Sequence, residues 1–330
     1  MIMQERRQVL RLSKRPCTGF LKVFCLLILV VALMPAMANA QAKVGTVGAQ
    51  FLELGISARA MGMADAFTAV ADDISAVYYN PAGLTSLLGR EAMFTYIRMP
   101  ADINYGFGAV GFPLESIGGV LAFGVYGLST GYMTERTYQQ GPDAGTGREF
   151  MANDIAISVG YGRYLTDRFS IGFNIKYIGE YFADESANGW AADVGTSYDT
   201  GFRGFKIAMV ITNFGPDMTM VQQDYPLPIN FKFGGCINVI ENPDNFVTFS
   251  IEGAHPSDNL EKYNMGLEYT FKDRFILRSG ARMHYDEDGF TAGGGLRFPF
   301  GDDGELRFDY AYQDFGILTE VHRFSMLIAF

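Results

Sequence analysis

The sequence predicts an all-β protein: a 14-stranded antiparallel transmembrane β-barrel with an N-terminal hatch, or plug, inside its lumen. Three observations support this. A secretory leader opens the chain, segments of alternating polarity run from residue 91 to residue 330, and the stretch between is glycine-rich without that alternation. No later run approaches the roughly 18 uncharged apolar residues of a membrane helix. We therefore predict a signal peptide over 1–40, a hatch over 41–90 and a barrel over 91–330.

Residues 1–40 have the three parts of a secretory signal peptide. A basic stretch precedes an apolar run over 23–34, and Ala38, Asn39 and Ala40 supply the small residues that precede a cleavage site. The apolar run is about a dozen residues long, whereas a spanning helix needs roughly 20. We expect cleavage near Ala40 and a mature protein in a bacterial outer membrane. An uncleaved membrane anchor is the alternative.

The charge balance argues against a nucleic-acid partner. The chain has 26 Lys and Arg against 36 Asp and Glu, and removal of the leader would leave 20 against 35. Phosphate binding needs clustered basic side chains, which this balance does not favour.

Cys236 is the only cysteine beyond residue 40, so an internal disulfide and a cysteine zinc site are both excluded. We expect no metal and no cofactor.

Alternating side chains give each predicted strand two different faces. Ile155, Ile157 and Val159 point one way, and the small residues between them point the other way. A soluble sandwich also alternates, but here charged residues recur on the second face. A barrel with outer-membrane lipid outside and a wet lumen explains both faces, so we expect a solvated lumen network, with selectivity as its second possible role. These charged residues are Lys176, Lys232, Glu268, Arg278, Arg282, Arg297, Arg307 and Asp309.

We predict 14 strands, an even number as in bacterial single-chain barrels. Their ranges are 91–98, 104–113, 118–129, 153–164, 169–181, 189–198, 204–213, 228–238, 245–254, 262–271, 274–285, 289–298, 304–313 and 322–330. Connections after odd-numbered strands are predicted to be long, as extracellular loops are, and those after even-numbered strands to be tight periplasmic turns. The predicted long connections are 130–152, 182–188, 214–227 and 314–321.

The chain ends on a predicted strand whose last residue is Phe330. This C-terminal aromatic residue resembles the one by which the barrel assembly machinery recognises outer-membrane proteins. We therefore interpret Phe330 as an assembly signal, with an ordinary closing strand as the alternative.

Residues 41–90 form a different kind of segment, rich in small residues and without period two. Residues 67–73 fit a short helix. The residue before a proline avoids the α region and glycine permits positive φ, so residues 80–83 (Asn-Pro-Ala-Gly) form a fixed turn. A polar, glycine-rich segment without a partner strand needs a surface to pack on, and the lumen of such a barrel has room for it.

Three motifs in this segment resemble a known family. Residues 58–63 (Ala-Arg-Ala-Met-Gly-Met), 69–73 (Ala-Val-Ala-Asp-Asp) and 79–84 (Tyr-Asn-Pro-Ala-Gly-Leu) resemble the N-terminal signature of the PorV/PorQ family. That family is related to the long-chain fatty-acid transporter (FadL) superfamily. The resemblance implies a 14-stranded barrel plugged by a hatch. The hatch residues it singles out are Arg59, Asp72, Asp73, Asn80, Pro81, Ala82 and Gly83.

The resemblance implies two functions, neither of them enzymatic. The PorV branch implies a type IX secretion component that receives the C-terminal domain of an exported cargo protein and shuttles it to the surface attachment machinery. The FadL branch implies passive transport of hydrophobic small molecules across the outer membrane. We take the shuttle as the first interpretation and the transporter as the alternative. No Ser or Cys lies at a spacing from His255, His284 or His322 that suggests a catalytic triad.

Two pairs of residues have competing interpretations. Asp72 and Asp73 either anchor the hatch to lumen arginines or mark a gate, or else they cap a turn; we favour a structural role because unpaired buried carboxylates are costly. Gly124 and Gly127 lie in the third predicted strand, where the FadL resemblance implies a kink that opens laterally into the membrane. The alternative is that the inner face of this strand packs on the hatch.

Overall fold

The computed structural model describes residues 45–138, 145–285, 289–301 and 304–330. The predicted signal peptide over 1–40 and its cleavage site near Ala40 lie outside the described residues. Across the ranges that are described, no helix combines the length and the apolar character needed to cross a membrane.

Fourteen antiparallel strands close into a barrel, in which the last strand pairs with the first. Two further hairpins, each made of two short strands, lie in connections between wall strands and are not part of the wall. In chain order the strands are β1 (Glu91–Arg98), β2 (Asn104–Leu114), β3 (Gly119–Ser129), the short β4 (Met133–Thr134) and β5 (Glu149–Phe150), β6 (Ala152–Thr166), β7 (Phe169–Phe182), β8 (Glu185–Asp199), β9 (Lys206–Phe214), the short β10 (Met218–Met220) and β11 (Gln223–Tyr225), β12 (Asn230–Glu241), β13 (Asn245–Pro256), β14 (Lys262–Phe271), β15 (Phe275–Met283), β16 (Phe290–Phe300), β17 (Gly304–Asp314) and β18 (Glu320–Ala329).

This barrel confirms the predicted fold class, and each of the fourteen predicted strands overlaps one strand of the wall. One end of the barrel, where β1 ends and β2 begins, is here called the loop end. The opposite end, at which β1 begins and β18 ends, is the turn end.

The predicted alternation of connection lengths is only partly right. Residues 130–151 and 215–229 form long connections at the loop end, and each contains one of the short hairpins. The predicted loop over 182–188 is wrong, because only Ala183 and Asp184 join β7 to β8 and Phe182 already pairs with Glu185. The strands continue since Ala187 is buried against the lumen contents, at 2% exposure. The connection predicted over 314–321 shortens to 315–319.

The outer face of the wall is apolar, as in transmembrane barrels. In β6, Ile157 and Val159 are exposed, while Ala156 and Ser158 between them are buried against the lumen contents. The same pattern recurs around the barrel, with large side chains on the outside. Examples are Phe94, Phe123, Phe173, Trp190, Phe233, Leu267, Leu277, Phe308 and Phe324.

The hatch fills much of the lumen and supplies about half of the core. It contains two short helices, α1 (Ala58–Gly62) and α2 (Ala76–Tyr79), and two 3₁₀ turns, Gln50–Glu53 and Pro81–Ser86. Almost every residue from 55 to 84 is buried. The helix expected over 67–73 does not form; the backbone there turns instead, and its N–H groups bind a wall side chain described below.

The expectation of a solvated charge network in the lumen is wrong for its central members. Lys176, Arg278 and Arg307 are each at most 4% exposed. Because the hatch takes the space that water would occupy, these side chains lie between wall and hatch. They must therefore find protein partners, since an unpaired buried charge is costly.

Candidate functional site

The hatch is docked by a turn that fits a glycine-lined recess in the wall. The Asn80 side chain accepts a hydrogen bond from the backbone N–H of Ala82 (3.1 Å), which fixes the turn around Pro81. The same side chain donates to the carbonyl of Thr196 in β8 (3.2 Å). A Cβ atom on Gly172 of β7 would lie 2.1 Å from the carbonyl carbon of Pro81. No larger residue fits at Gly172 without moving the turn.

Two more glycines make this approach possible. A Cβ atom on Gly195 of β8 would lie 2.0 Å from the Asn80 side-chain oxygen. Within the hatch, a Cβ atom on Gly83 would lie 2.1 Å from the carbonyl oxygen of Ala71. The motif at residues 80–83 therefore needs each of its small residues to pack, which gives the family resemblance a physical meaning.

Arg59 in α1 links the hatch to the wall by charge. Its Nε and Nη2 atoms donate to Glu268 of β14 at 2.9 and 3.0 Å. Its Nη1 atom donates to Asp72 at 2.5 Å and to Asp73 at 3.1 Å. Burial alone lowers the pKa of Arg59, but the carboxylates of Asp72, Glu268 and Asp73 raise it by more. The guanidinium therefore stays charged, and it lies 5.3 Å from the centre of the Phe67 ring.

Asp73 is the second charged link between hatch and wall. It accepts from Arg307 of β17 at 2.5 Å, and Arg307 also donates to Asp309 at 2.8 Å. Arg278 of β15 completes the set by donating to Asp309 and Glu268, both at 2.6 Å. Burial alone would raise the pKa of Asp73, but Arg307 and Arg59 lower it by more, to well below its usual value. We call Arg59, Asp73, Glu268, Arg278, Arg307 and Asp309 the ion network.

Asp72 differs from its neighbour Asp73. The Asp72 side chain is 42% exposed, whereas that of Asp73 is 4% exposed. Asp72 faces a polar pocket of about 390 Å³ at the turn end, between the hatch and the turns 242–246 and 272–274. Of the two aspartates, Asp73 therefore has the contacts of an anchor, while Asp72 covers the outer side of Arg59.

Glu252 of β13 is a hatch ligand that the sequence analysis missed. One of its oxygens accepts from the backbone N–H groups of Phe67 (3.1 Å) and Thr68 (2.8 Å). Lys232 of β12 lies 3.8 Å from its other oxygen. The sequence signal was a carboxylate on the inner face of a strand, between Ser250 and Ala254, and it cannot be distinguished from a solvated lumen charge without knowing that the hatch lies there.

A cavity of about 470 Å³ lies at the loop end, between the hatch and the wall. Hatch residues 48–55 form its floor and one side. Apolar side chains line another part of it, namely Met99, Leu128, Phe315 and Val321. Charged side chains line the rest, including Glu53, Lys262, Arg282 and Arg323. The cavity is therefore amphipathic, with an apolar part and a charged part.

The outer wall carries an apolar groove beside this cavity. Gly106, Gly108 and Gly127 face outward on β2 and β3, and the missing side chains leave two adjoining hollows of about 530 and 460 Å³. Leu128 and Asp154 line both the inner cavity and the first hollow of the groove. The wall at this point is thus only one residue layer thick, between two spaces that accept apolar groups.

Gly124 and Gly127, the two residues of the predicted lateral opening, face opposite ways. A Cβ atom on Gly124 would lie 3.5 Å from Val77 of the hatch and 2.8 Å from the Ser158 hydroxyl, so Gly124 packs on the lumen contents. A Cβ atom on Gly127 would lie 2.7 Å from the carbonyl oxygen of Asp154 on β6. Strand β3 pairs continuously with β2 and β6, so the wall is closed here.

Phe330 lies directly after β18, at the turn end. Its backbone exchanges two hydrogen bonds with Arg90, at 2.9 and 3.0 Å, and its side chain is 58% exposed. The final residue is therefore tied to the start of β1 with its ring free on the outside. Its role as an assembly signal stays a prediction.

In the part of the chain that the structure describes, no three His, Cys, Asp or Glu side chains converge as they would to hold a metal ion. Cys236 is buried, and its Sγ atom lies 3.3 Å from the carbonyl oxygen of Ala69 in the hatch. This cysteine thus packs between wall and hatch.

No family model and no curated protein matches the sequence. The structure, however, is similar to solved outer-membrane proteins. The Ralstonia pickettii toluene transporter TbuX matches with TM-score 0.56 and 12% identity, over 83% of this chain and 97% of that chain. The Pseudomonas putida toluene transporter TodX gives 0.53 and 10%, over 77% and 92%. A Pseudomonas aeruginosa FadL homologue gives 0.52 and 11%, over 83% and 98%. At these identities the likeness concerns the fold, which is that of the FadL-like outer-membrane barrels.

Proposed function

We propose that this protein lies in a bacterial outer membrane and lets apolar small molecules pass through it without an energy source. In this proposal the loop end faces outward, the turn end faces the periplasm, and the apolar outer face of the wall contacts lipid. The fold likeness to two proteins described as toluene transporters supports a transport role over the other functions that barrels perform.

One observation carries the proposal: an amphipathic inner cavity and an apolar outer groove share Leu128 and Asp154 as their common wall. The hatch closes the turn-end half of the lumen through the ion network and the docked turn, so a solute in the cavity has little room to move toward the periplasm. A sideways exit past Leu128 leads instead into the groove and the lipid. Gly127, beside Leu128, has the small size that a local bend in β3 needs.

A substitution at the shared wall tests this route. Leu128→Trp adds volume between the cavity and the groove, so we expect a several-fold lower initial rate of toluene uptake by cells with the protein in their outer membrane. Leu121→Trp is the matched control, because Leu121 lies on the same strand but faces outward near the turn end. Equal uptake by the wild type and Leu128→Trp, with both barrels folded, would contradict the proposed exit.

The resemblance of residues 58–84 to PorV/PorQ supports a second function, the cargo shuttle of type IX secretion. The fold comparisons support transport more than this role, since two of the similar structures with a TM-score above 0.5 are described as toluene transporters. Purification from detergent-solubilised outer membranes of the native host separates the two. Co-purifying secretion components and cargo C-terminal domains support the shuttle, whereas bound hydrophobic ligands support transport.

A further inference from the structure

Glu180 on the inner face of β7 joins three parts of the molecule beside the loop-end cavity. One carboxylate oxygen accepts from the backbone N–H of Ala49 in the hatch (3.0 Å). The other accepts from the hydroxyl of Tyr225 in the β10–β11 hairpin (2.7 Å). A single side chain of the wall therefore holds both the hatch and a loop-end hairpin.

The hairpin also contacts the hatch directly. The ring of Tyr225 covers Gly48 so closely that a Cβ atom on that glycine would lie 1.9 Å from the ring. The backbone N–H of Gly48 donates to the carbonyl of Pro226 (3.0 Å). Gly48 and the adjacent Ala49 form part of the lining of the inner cavity, whereas Phe51 is held separately by the hydroxyl of Tyr105 (3.0 Å). Release of Tyr225 would therefore free the cavity lining at Gly48.

The base of the hairpin is anchored elsewhere. Met218 is 1% exposed and packs on β8, where a Cβ atom on Gly189 would lie 2.6 Å from its side chain. Leu227 is also buried, at 1% exposure. The contacts of Tyr225 can thus be lost while the ends of the hairpin stay in place.

Asp154 works against this arrangement. It is the direct cross-strand partner of Glu180, and both side chains face the lumen and line the cavity. Like charges directly opposite each other on neighbouring strands destabilise their contact. Among the described residues, no donor or cation lies within bonding distance of the Asp154 carboxylate. The other ionisable side chains that line this cavity are Glu53, Lys262, Arg282, Tyr285 and Arg323, and Tyr225 lies beside Glu180.

We propose that Glu180 is the latch of a gate in which Glu180 and the β10–β11 hairpin hold Gly48 and Ala49 beside the cavity, and that the charge of Asp154 weakens this latch. The inference rests on the proposed transport function for its biological meaning, although the latch itself is a structural property. It makes an unusual requirement: neutralising the two carboxylates of one pair must have opposite effects. Glu180→Gln loses a charged acceptor and loosens the gate, whereas Asp154→Asn removes the repulsion and tightens it.

Spin labels on the hairpin and on the neighbouring connection between β13 and β14 measure the gate directly. Val221 in the hairpin turn and Leu260 after β13 are both exposed, at 64% and 52%. Both would be labelled as cysteines in full-length protein in which Cys17, Cys25 and Cys236 are changed to Ser. We expect one narrow distance distribution in the parent protein. Glu180→Gln and Tyr225→Phe should broaden it toward longer distances and raise toluene uptake several-fold. Asp154→Asn should leave it as narrow or narrower and lower the uptake.

Tyr177→Phe is the matched control, because it removes another tyrosine hydroxyl from β7, one that bonds Asn188 on the outer face (2.8 Å). It should leave the distances unchanged. Folding of every variant is checked by the mobility shift of unheated barrels on gels. Broadening by Asp154→Asn equal to that of Glu180→Gln would overturn the latch, and so would unchanged distances in Tyr225→Phe. If the distances respond as expected and uptake does not, the latch stands and the transport proposal fails.

Discussion

The turn-end half and the loop-end half of the lumen are filled in different ways. In the turn-end half, the ion network places three arginines and three carboxylates in mutual contact, each at most 7% exposed. The docked turn at residues 80–83 adds backbone contact with wall glycines. In the loop-end half, a cavity of about 470 Å³ separates the hatch from part of the wall. There the hatch is held by single hydrogen bonds to Glu180, to the β10–β11 hairpin, and to the side chains of Tyr105, Asp258 and Arg323.

The two halves of the hatch therefore have different tasks, one to stay closed and the other to rearrange. Buried ion pairs break at a high free-energy cost when one partner is removed, so the turn-end half is built to stay closed. Hydrogen bonds between partly exposed groups are worth about 1 kcal/mol each, so the loop-end half can rearrange at ordinary temperature. A plug with a fixed base and an adjustable top seals the barrel against water while leaving a space for a solute.

The largest effect is expected from one added methyl group at the docked turn. Gly172→Ala places a Cβ atom against the backbone of Pro81, which cannot yield as a side chain can. Overpacking of this kind costs about 3 kcal/mol or more when backbone has to move. We expect the hatch to undock, which would lower thermal stability and give ion conductance in planar bilayers. Gly235→Ala is the control, since its nearest neighbour atom would be 3.6 Å away. If Gly172→Ala changes neither the thermal stability nor the ion conductance, the recess does not hold the hatch.

Arg307→Met should have the next largest effect. The change leaves the buried carboxylates of Asp73 and Asp309 without one of their partners, which costs about 3–5 kcal/mol. Arg297→Met is the comparison, because Arg297 is the cross-strand partner of Arg307 but is 24% exposed and pairs with the exposed Asp273. We expect the melting temperature to fall clearly for Arg307→Met and little for Arg297→Met. Equal shifts would mean that the ion network gives the turn end no special strength.

The pH dependence of the seal follows from Asp73, which lies in the hatch and not in a spanning strand. Its folded-state pKa lies below the usual value of 3.8 because Arg307 and Arg59 outweigh the effect of burial. Such a group contributes its full stabilisation above the unfolded-state pKa and loses it as the pH falls through the folded-state pKa. The barrel should therefore conduct no ions from pH 7 down to about pH 4 and should conduct them only in stronger acid. Opening near pH 6 would identify another group as the one that controls the seal.

The sequence predicted the wall better than the contents of the lumen, and the reason is physical. Period-two alternation at Ile155, Ile157 and Val159 reports directly which face of β6 is outside, so the wall strands could be found. The alternation of polarity is not visible at 185–188, because the outward-facing Ser186 and Asn188 are polar, although Ala187 between them is buried. At 67–73 the backbone forms turns and not the expected helix, and its contact with Glu252, distant in sequence, could not be predicted from that segment alone.

The candidate site shows the same limit. Arg59, Asp73 and Asn80 were found through the motif, since the hatch carries its half of each contact in one short segment. The wall carries the other half on separate strands. Gly172 and Glu180 occupy inner positions that suit either a water-filled bore or a docking surface, so their role depends on what fills the lumen.

The smallest effect is expected at Asp72, and it sharpens the contrast with the adjacent Asp73. Asp72→Asn removes one carboxylate from Arg59, which keeps its bonds to Glu268 and Asp73. Because the Asp72 side chain is 42% exposed, water replaces much of the lost interaction, and the cost should be below about 1 kcal/mol. Asp73→Asn, at 4% exposure, should cost several times more and should open conductance. The measurement is thermal unfolding of the two variants in the same detergent. If Asp72→Asn proves as damaging as Asp73→Asn, the seal extends to the turn-end surface, and the fixed base of the hatch includes the polar pocket that Asp72 faces.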